Sequence, residues 1–150
     1  MSSCLLSYLK TSRAGLVSQR LAHLRDIASG LSHYASSIYL LSKESICIDK
    51  AGNIKLCNSE LAPLLYRYAT QSDLREVYVK NFRWADPCLW YYLFINQLHN
   101  WRHVETFGTD IYAFGCVTYQ MVSNEVPFAL VASNERELWY ATVQSAPEHF

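Results

Sequence analysis

Few residues in this chain have both the type and the spacing that chemistry needs. His99 and His103 stand four apart and would share one face of a helix, as two metal ligands do. No glutamate completes an HExxH arrangement around them and no cysteine pair lies near, so they read as surface or capping histidines, and no metal site is expected. Ser7 and Lys10 have the spacing of a serine nucleophile motif but none of its companions. Five cysteines, Cys4, Cys47, Cys57, Cys88 and Cys116, form no C-x-x-C pair and are odd in number. They are expected to be reduced thiols of a cytoplasmic or nuclear protein. Glu76 and Lys80, four apart, suit a surface ion pair on a helix, and Thr70 and Ser72 are candidate phosphorylation sites in a loop.

The elements that would position such groups are clearer than the groups themselves. Ile46, Ile48, Ile54 and Leu56 alternate on either side of Asp49-Lys50-Ala51-Gly52-Asn53, a polar stretch with one glycine free to take a positive φ. This predicts a β-hairpin over about 46–57. Thr109 is the expected N-cap of a helix over 109–122, with Asp110 near its positive end. Its apolar residues Ile111, Ala113, Phe114, Cys116, Val117, Met121 and Val122 surround the axis, the pattern of a helix buried on every side. Further helices are expected over about 3–10, 18–35 and 134–144. The aromatic-rich stretch from Leu61 to Phe107 is expected to pack as a local insert against the lower lobe, the alternative being an aromatic partner-binding surface.

Composition fits one folded unit. The 150 residues are 51% hydrophobic and 17% charged, which argues against disorder. Thirteen basic and thirteen acidic residues cancel, leaving no electrostatic case for nucleic acid or an anionic membrane. No apolar run approaches the roughly 20 residues of a membrane-spanning helix. Partners are therefore expected to be proteins, a second copy included, recognised by shape and apolar contact.

Six segments taken in order resemble the lower lobe of a eukaryotic protein kinase, of the tyrosine-kinase-like group of serine/threonine kinases. Leu5-Leu6-Ser7-Tyr8-Leu9-Lys10 resembles the short helix after the hinge, and Leu24-Arg25-Asp26-Ile27-Ala28-Ser29-Gly30-Leu31 the long helix entering the catalytic loop. ICIDKAGNIKLC, Ile46 to Cys57, resembles the strand pair between the catalytic loop and Asp-Phe-Gly. Arg83-Trp84-Ala85-Asp86-Pro87 is similar to the Arg-Trp-Met-Ala-Pro-Glu stretch closing the activation segment. Asp110-Ile111-Tyr112-Ala113-Phe114-Gly115 resembles the central helix, and Val126-Pro127-Phe128 the turn that ends it. The resemblance implies an α+β fold by family, mostly helical here with the one small hairpin. It implies a partial kinase-like domain over 1–150, without the upper lobe and the final helices of the lower lobe.

The same alignment locates the departures. Phosphoryl transfer needs a carboxylate on the substrate hydroxyl, a carboxylate and an amide on magnesium, and a lysine on the phosphates. The His-Arg-Asp positions fall on Ile38, Tyr39 and Leu40, the metal-binding asparagine on Ser45, and Asp-Phe-Gly on Asn58-Ser59-Glu60. No acid stands between Asp26 and Glu44. No two glycines are spaced for a phosphate-covering loop, and no lysine stands in a Val-Ala-x-Lys context. Asp110 keeps a structural role, which in the family is to brace the catalytic loop. The resemblance alone carries the labels protein kinase, transferase and ATP-binding, with magnesium. The departures predict a pseudokinase fragment acting as an interaction or regulatory module, with no cofactor. The alternative is an active ATP-dependent serine/threonine or tyrosine kinase whose upper lobe lies outside this sequence. The truncation also predicts that Phe114, Val117 and Met121 are left partly wet, with marginal stability or self-association as the result.

Overall fold

Leu24, Ile27 and Leu31 recur at helical spacing, and this stripe is the buried face of α1, Val17–His33. Arg25 and Asp26 face outward and pair with each other (3.2 Å). The computed structural model describes residues 3–4, 17–33, 41, 45–57, 68, 70–87 and 107–143. The chain is mostly helical with one antiparallel hairpin.

The hairpin forms where its alternation predicts. β2, Ile46–Ile48, pairs with β3, Ile54–Leu56, in the register Ile46 with Leu56, Cys47 with Lys55 and Ile48 with Ile54. Its turn is organised by Asp49. The Asp49 carboxylate accepts from the backbone of Ala51 (2.9 Å) and Asn53 (2.9 Å), and Gly52 takes φ +86°. Ile46 and Ile48 are sealed in the core, and β3 packs under α1 so closely that a Cβ on Gly30 would meet Leu56 at 2.9 Å.

A third strand departs from expectation. Ser3–Cys4, at the start of the predicted helix over 3–10, is instead β1 and pairs antiparallel with β2, Ser3 opposite Ile48 and Cys4 opposite Cys47. The open edge of β2 offers unpaired backbone groups that a strand satisfies and a helix cannot. Residues 5–10 of that expectation lie outside the described residues.

α2, Gln71–Lys80, falls in the aromatic-rich stretch, and the Glu76–Lys80 pair does form on it (2.7 Å). Thr70 is its N-cap: Asp73 N–H donates to the Thr70 hydroxyl (3.2 Å), which donates to the Asp73 carboxylate (2.7 Å). Thr70 is therefore engaged at a helix start, not in a loop. α3, Phe107–Ser123, starts two residues before Thr109, which sits in the first turn rather than at the cap. α4, Glu135–Val143, starts where Asn134 Oδ1 accepts from Glu137 N–H (3.0 Å).

The core gathers Leu24, Ile27 and Leu31 with Leu41, Ile46, Ile48, Trp84, Ala113, Cys116, Val117 and Met121. The expectation that Val117 and Met121 are wet is thus corrected. Both are fully buried, and Phe114 packs partly buried against them. α3 presents that side to α1 and shares one core cluster with Ile46 and Ile48, and its exposed apolar residues among those described are Ile111, Tyr119 and Val122.

Candidate functional site

Of the positions that the kinase resemblance singles out, Ser45 and Asp110 lie in described structure. Leu40, Asn58 and the neighbouring Glu44 lie outside the described residues, as do His99 and His103. Ser45 is fully buried and forms the base of the hairpin, its carbonyl accepting from Cys57 N–H (2.8 Å). A hydroxyl is a weaker cation ligand than an amide carbonyl, and this one is enclosed in the core. Asp110 is buried in the first turn of α3, where the helix dipole favours its carboxylate. Among the described residues no cluster of three or more His, Cys, Asp and Glu side chains is placed to hold a metal ion.

The 81–87 turn packs beside α3. Trp84 is buried in the core, and its backbone N–H donates to the Asn81 backbone carbonyl (2.9 Å). The Asp86 carboxylate acts on Tyr112 and Cys116. Burial pushes the Cys116 thiol up to about 11, partly offset by its hydrogen bond with Tyr112 and reinforced by Asp86. The Tyr112 hydroxyl is also raised, again chiefly by burial. Both groups stay protonated near pH 7, so neither is prepared as a nucleophile or a general base.

Arg20 and His23, which sequence reasoning passed over, and Arg83 hold these pieces together. Arg20 on α1 donates from Nη1 to the Met121 carbonyl (2.6 Å) at the end of α3, where carbonyls lack helical partners. His23 Nε2 meets the Gly52 carbonyl (3.2 Å), fixing α1 to the hairpin turn. Arg83 donates to Pro127 O (3.0 Å) and Ala132 O (2.7 Å), tying its turn to the one after α3. Each partner is a backbone carbonyl far along the chain, so periodicity and spacing carry no signal for it. The exception is Arg83, which the resemblance had picked out by its place in the Arg-Trp motif.

The turn after α3 shapes a surface groove. Asn124 (φ 61°) ends the helix in the left-handed region that asparagine tolerates. Phe128 (φ 59°) adopts it at a cost, held there by Val131 N–H (3.1 Å) and Ala132 N–H (3.0 Å) on its carbonyl. Between this turn and the outer face of α3 lies an open groove of about 530 Å³, lined by Ile111, Gly115, Tyr119, Phe128, Leu130 and Val131 among others. Glu125 is its single charged residue, and the Tyr119 hydroxyl donates to it (3.1 Å).

The cysteines also need correcting. Cys47 and Cys57 are joined as a disulfide, against the expectation of reduced thiols throughout, and Cys116 is a buried free thiol. Cys47 faces Lys55 in the register, and Cys57 lies two residues beyond it, so the two cysteines are diagonal neighbours on one face of the hairpin.

No protein-family model matches the chain. Two known proteins are similar to it. An "Inactive protein tyrosine kinase pTKL" of Plasmodium falciparum (isolate 3D7) is 29% identical over 101 residues, 63% of this chain and 6% of that protein. A "Dual specificity protein kinase pyk3" of Dictyostelium discoideum is 29% identical over 108 residues, 70% of this chain and 7% of that protein. The chain thus spans less than a tenth of the length of either relative, and the likeness is to kinase-like proteins in general.

Proposed function

We propose that this chain is the lower lobe of a kinase-like domain, of tyrosine-kinase-like type, that serves as an interaction or regulatory module in the cytoplasm or nucleus and does not transfer phosphate. The observation that carries this reading is Ser45. At the position of a magnesium-binding amide stands a hydroxyl enclosed in the core, on a chain with no carboxylate between Asp26 and Glu44. A site that must neutralise triphosphate charge cannot be assembled from these groups. The similarity to a relative named as inactive supports the same reading. The groove beside α3 suits a protein segment with apolar side chains and a basic group for Glu125.

The relative named as a dual specificity kinase favours the alternative, an active ATP-dependent kinase completed by sequence outside this chain. Phosphate transfer to generic Ser, Thr and Tyr substrates separates the two. We expect none above a no-enzyme control. Incorporation by highly purified protein that disappears in Glu44→Ala or Asn58→Ala would establish the enzyme instead.

A further inference from the structure

We propose that the groove between α3 and the turn after it is the docking site of a short extended segment of a partner protein, which lays large apolar side chains along Gly115 and sets a Lys or Arg against Glu125. The proposal rests on the reading of this chain as an interaction module and names the chemistry of its partner. Ile111, Gly115 and Tyr119 stand four residues apart, so they line up as one stripe on the outer face of α3, about 12 Å from end to end. The facing wall is the turn through Pro127, Phe128, Leu130 and Val131. The space between them, about 530 Å³, falls within the roughly 300 to 1,000 Å³ of ordinary ligand pockets.

The first observation that points to an occupant is Gly115. A glycine in the interior of a 17-residue helix weakens it relative to alanine, through the greater backbone freedom it loses on folding. Packing does not call for it: a Cβ at Gly115 would meet nothing within 4 Å, whereas a Cβ at Gly30 would strike Leu56 at 2.9 Å. The fold requires Gly30 and does not require Gly115. The bare backbone at Gly115 instead leaves the floor of the groove open to close approach by another chain.

The second observation is charge. Glu125 is exposed and is the single charged residue lining the groove. Its Oε2 accepts from the Tyr119 hydroxyl (3.1 Å), which fixes the carboxylate at the Tyr119 end of the stripe. Among the described residues no Lys or Arg pairs with it. A cation with apolar neighbours is therefore the complement of this surface. An extended chain advances roughly 3.3 Å per residue, so about four residues span the stripe with the basic one at its end. Leu130 (93% exposed) and Val131 (60% exposed) give the facing wall apolar surface for the segment to bury.

The test is an array of immobilised peptides probed with the purified full chain in the absence of nucleotide, each peptide carrying four varied positions drawn from Leu, Phe, Ser, Lys, Arg, Asp and Glu. We expect retention on peptides with large apolar residues and a terminal Lys or Arg, rejection of their Asp and Glu counterparts, and inversion of that preference in Glu125→Lys. The best-retained peptide, titrated by fluorescence anisotropy, should bind Glu125→Gln about fivefold more weakly. It should bind Gly115→Leu, which fills the open floor, about tenfold more weakly or worse. Gly115→Ala should raise the Tm by about 3 °C; a lowered Tm would make Gly115 a packing residue and overturn the argument from it. Retention indifferent to the sign of charge, a preference unchanged in Glu125→Lys, or full affinity in Gly115→Leu would overturn the site. So would a dimer, seen by light scattering, that Gly115→Leu dissolves, because the groove would then belong to a second copy. Phosphate transfer is read separately: an active kinase that retains these peptides sinks the functional reading and keeps the groove, and an inactive chain that retains none does the reverse.

Discussion

The two long faces of α3 meet opposite environments. On the inner face Val117 and Met121 are sealed in one core cluster with residues of α1 and the hairpin, and Asp110 is buried at the helix start. On the outer face Ile111 and Tyr119 are half exposed and Val122 is 65% exposed, above a groove with one charged residue. The inner face folds on packing alone, which asks for volume and apolarity, and α3 supplies both whatever stands at the positions the proposed function concerns. The outer face is the surface on which the proposed interaction role rests. An apolar groove recognises a partner without any of the charges that phosphoryl transfer requires.

The contrast between the faces is open to direct mutation. Met121→Ala, which empties a fully buried site, should cost about 2 to 5 kcal/mol in denaturant unfolding. Val122→Ala, one residue on and outward, should stay within about 0.5 kcal/mol. Equal costs would mean that the faces are not distinct. A smaller effect should come from Arg20→Ala, which leaves the Met121 carbonyl at the end of α3 without its charged donor and should cost about 1 kcal/mol, read as a lowered midpoint with unchanged m-value.

The smallest effect belongs to the surface and depends on pH. Asp49 is held below the usual carboxylate range chiefly by the Asn53 N–H, Asp73 by the Thr70 hydroxyl and Glu137 by the Ser133 N–H. A depressed folded value contributes stability above the ordinary carboxylate pKa, and that contribution is lost as pH falls through the folded value. Tm should therefore be flat from pH 7 to about 5 and decline below about pH 4. Asp73→Asn should flatten part of that decline, and a decline unchanged in that variant would show that the Thr70 cap does not couple to acid unfolding.

What could be read from sequence divides along physical lines. The hairpin was legible because alternation and the Asp49 to Asn53 turn are local, and α3 and α4 because their helical patterns are local too. The first strand was not, because Ser3–Cys4 becomes a strand only through the free edge of β2, which lies more than 40 residues away in sequence. The inward side of α3 was misjudged because an apolar helix seen alone does not show which of its sides other elements cover. Ser45 and Asp110 were legible as site positions only through the kinase resemblance, since nothing in their spacing marks them. The Cys47–Cys57 pairing follows from register, and cysteine counting without the register argued the other way.

The central claim is that the scaffold persists without the nucleotide chemistry, and thermal denaturation with and without millimolar Mg-ATP tests it most directly. On the proposed reading, in which Asn58 stands in place of a magnesium carboxylate and no lysine serves the phosphates, Tm should not move. A clear ATP-dependent rise in Tm, abolished by EDTA, would contradict the account.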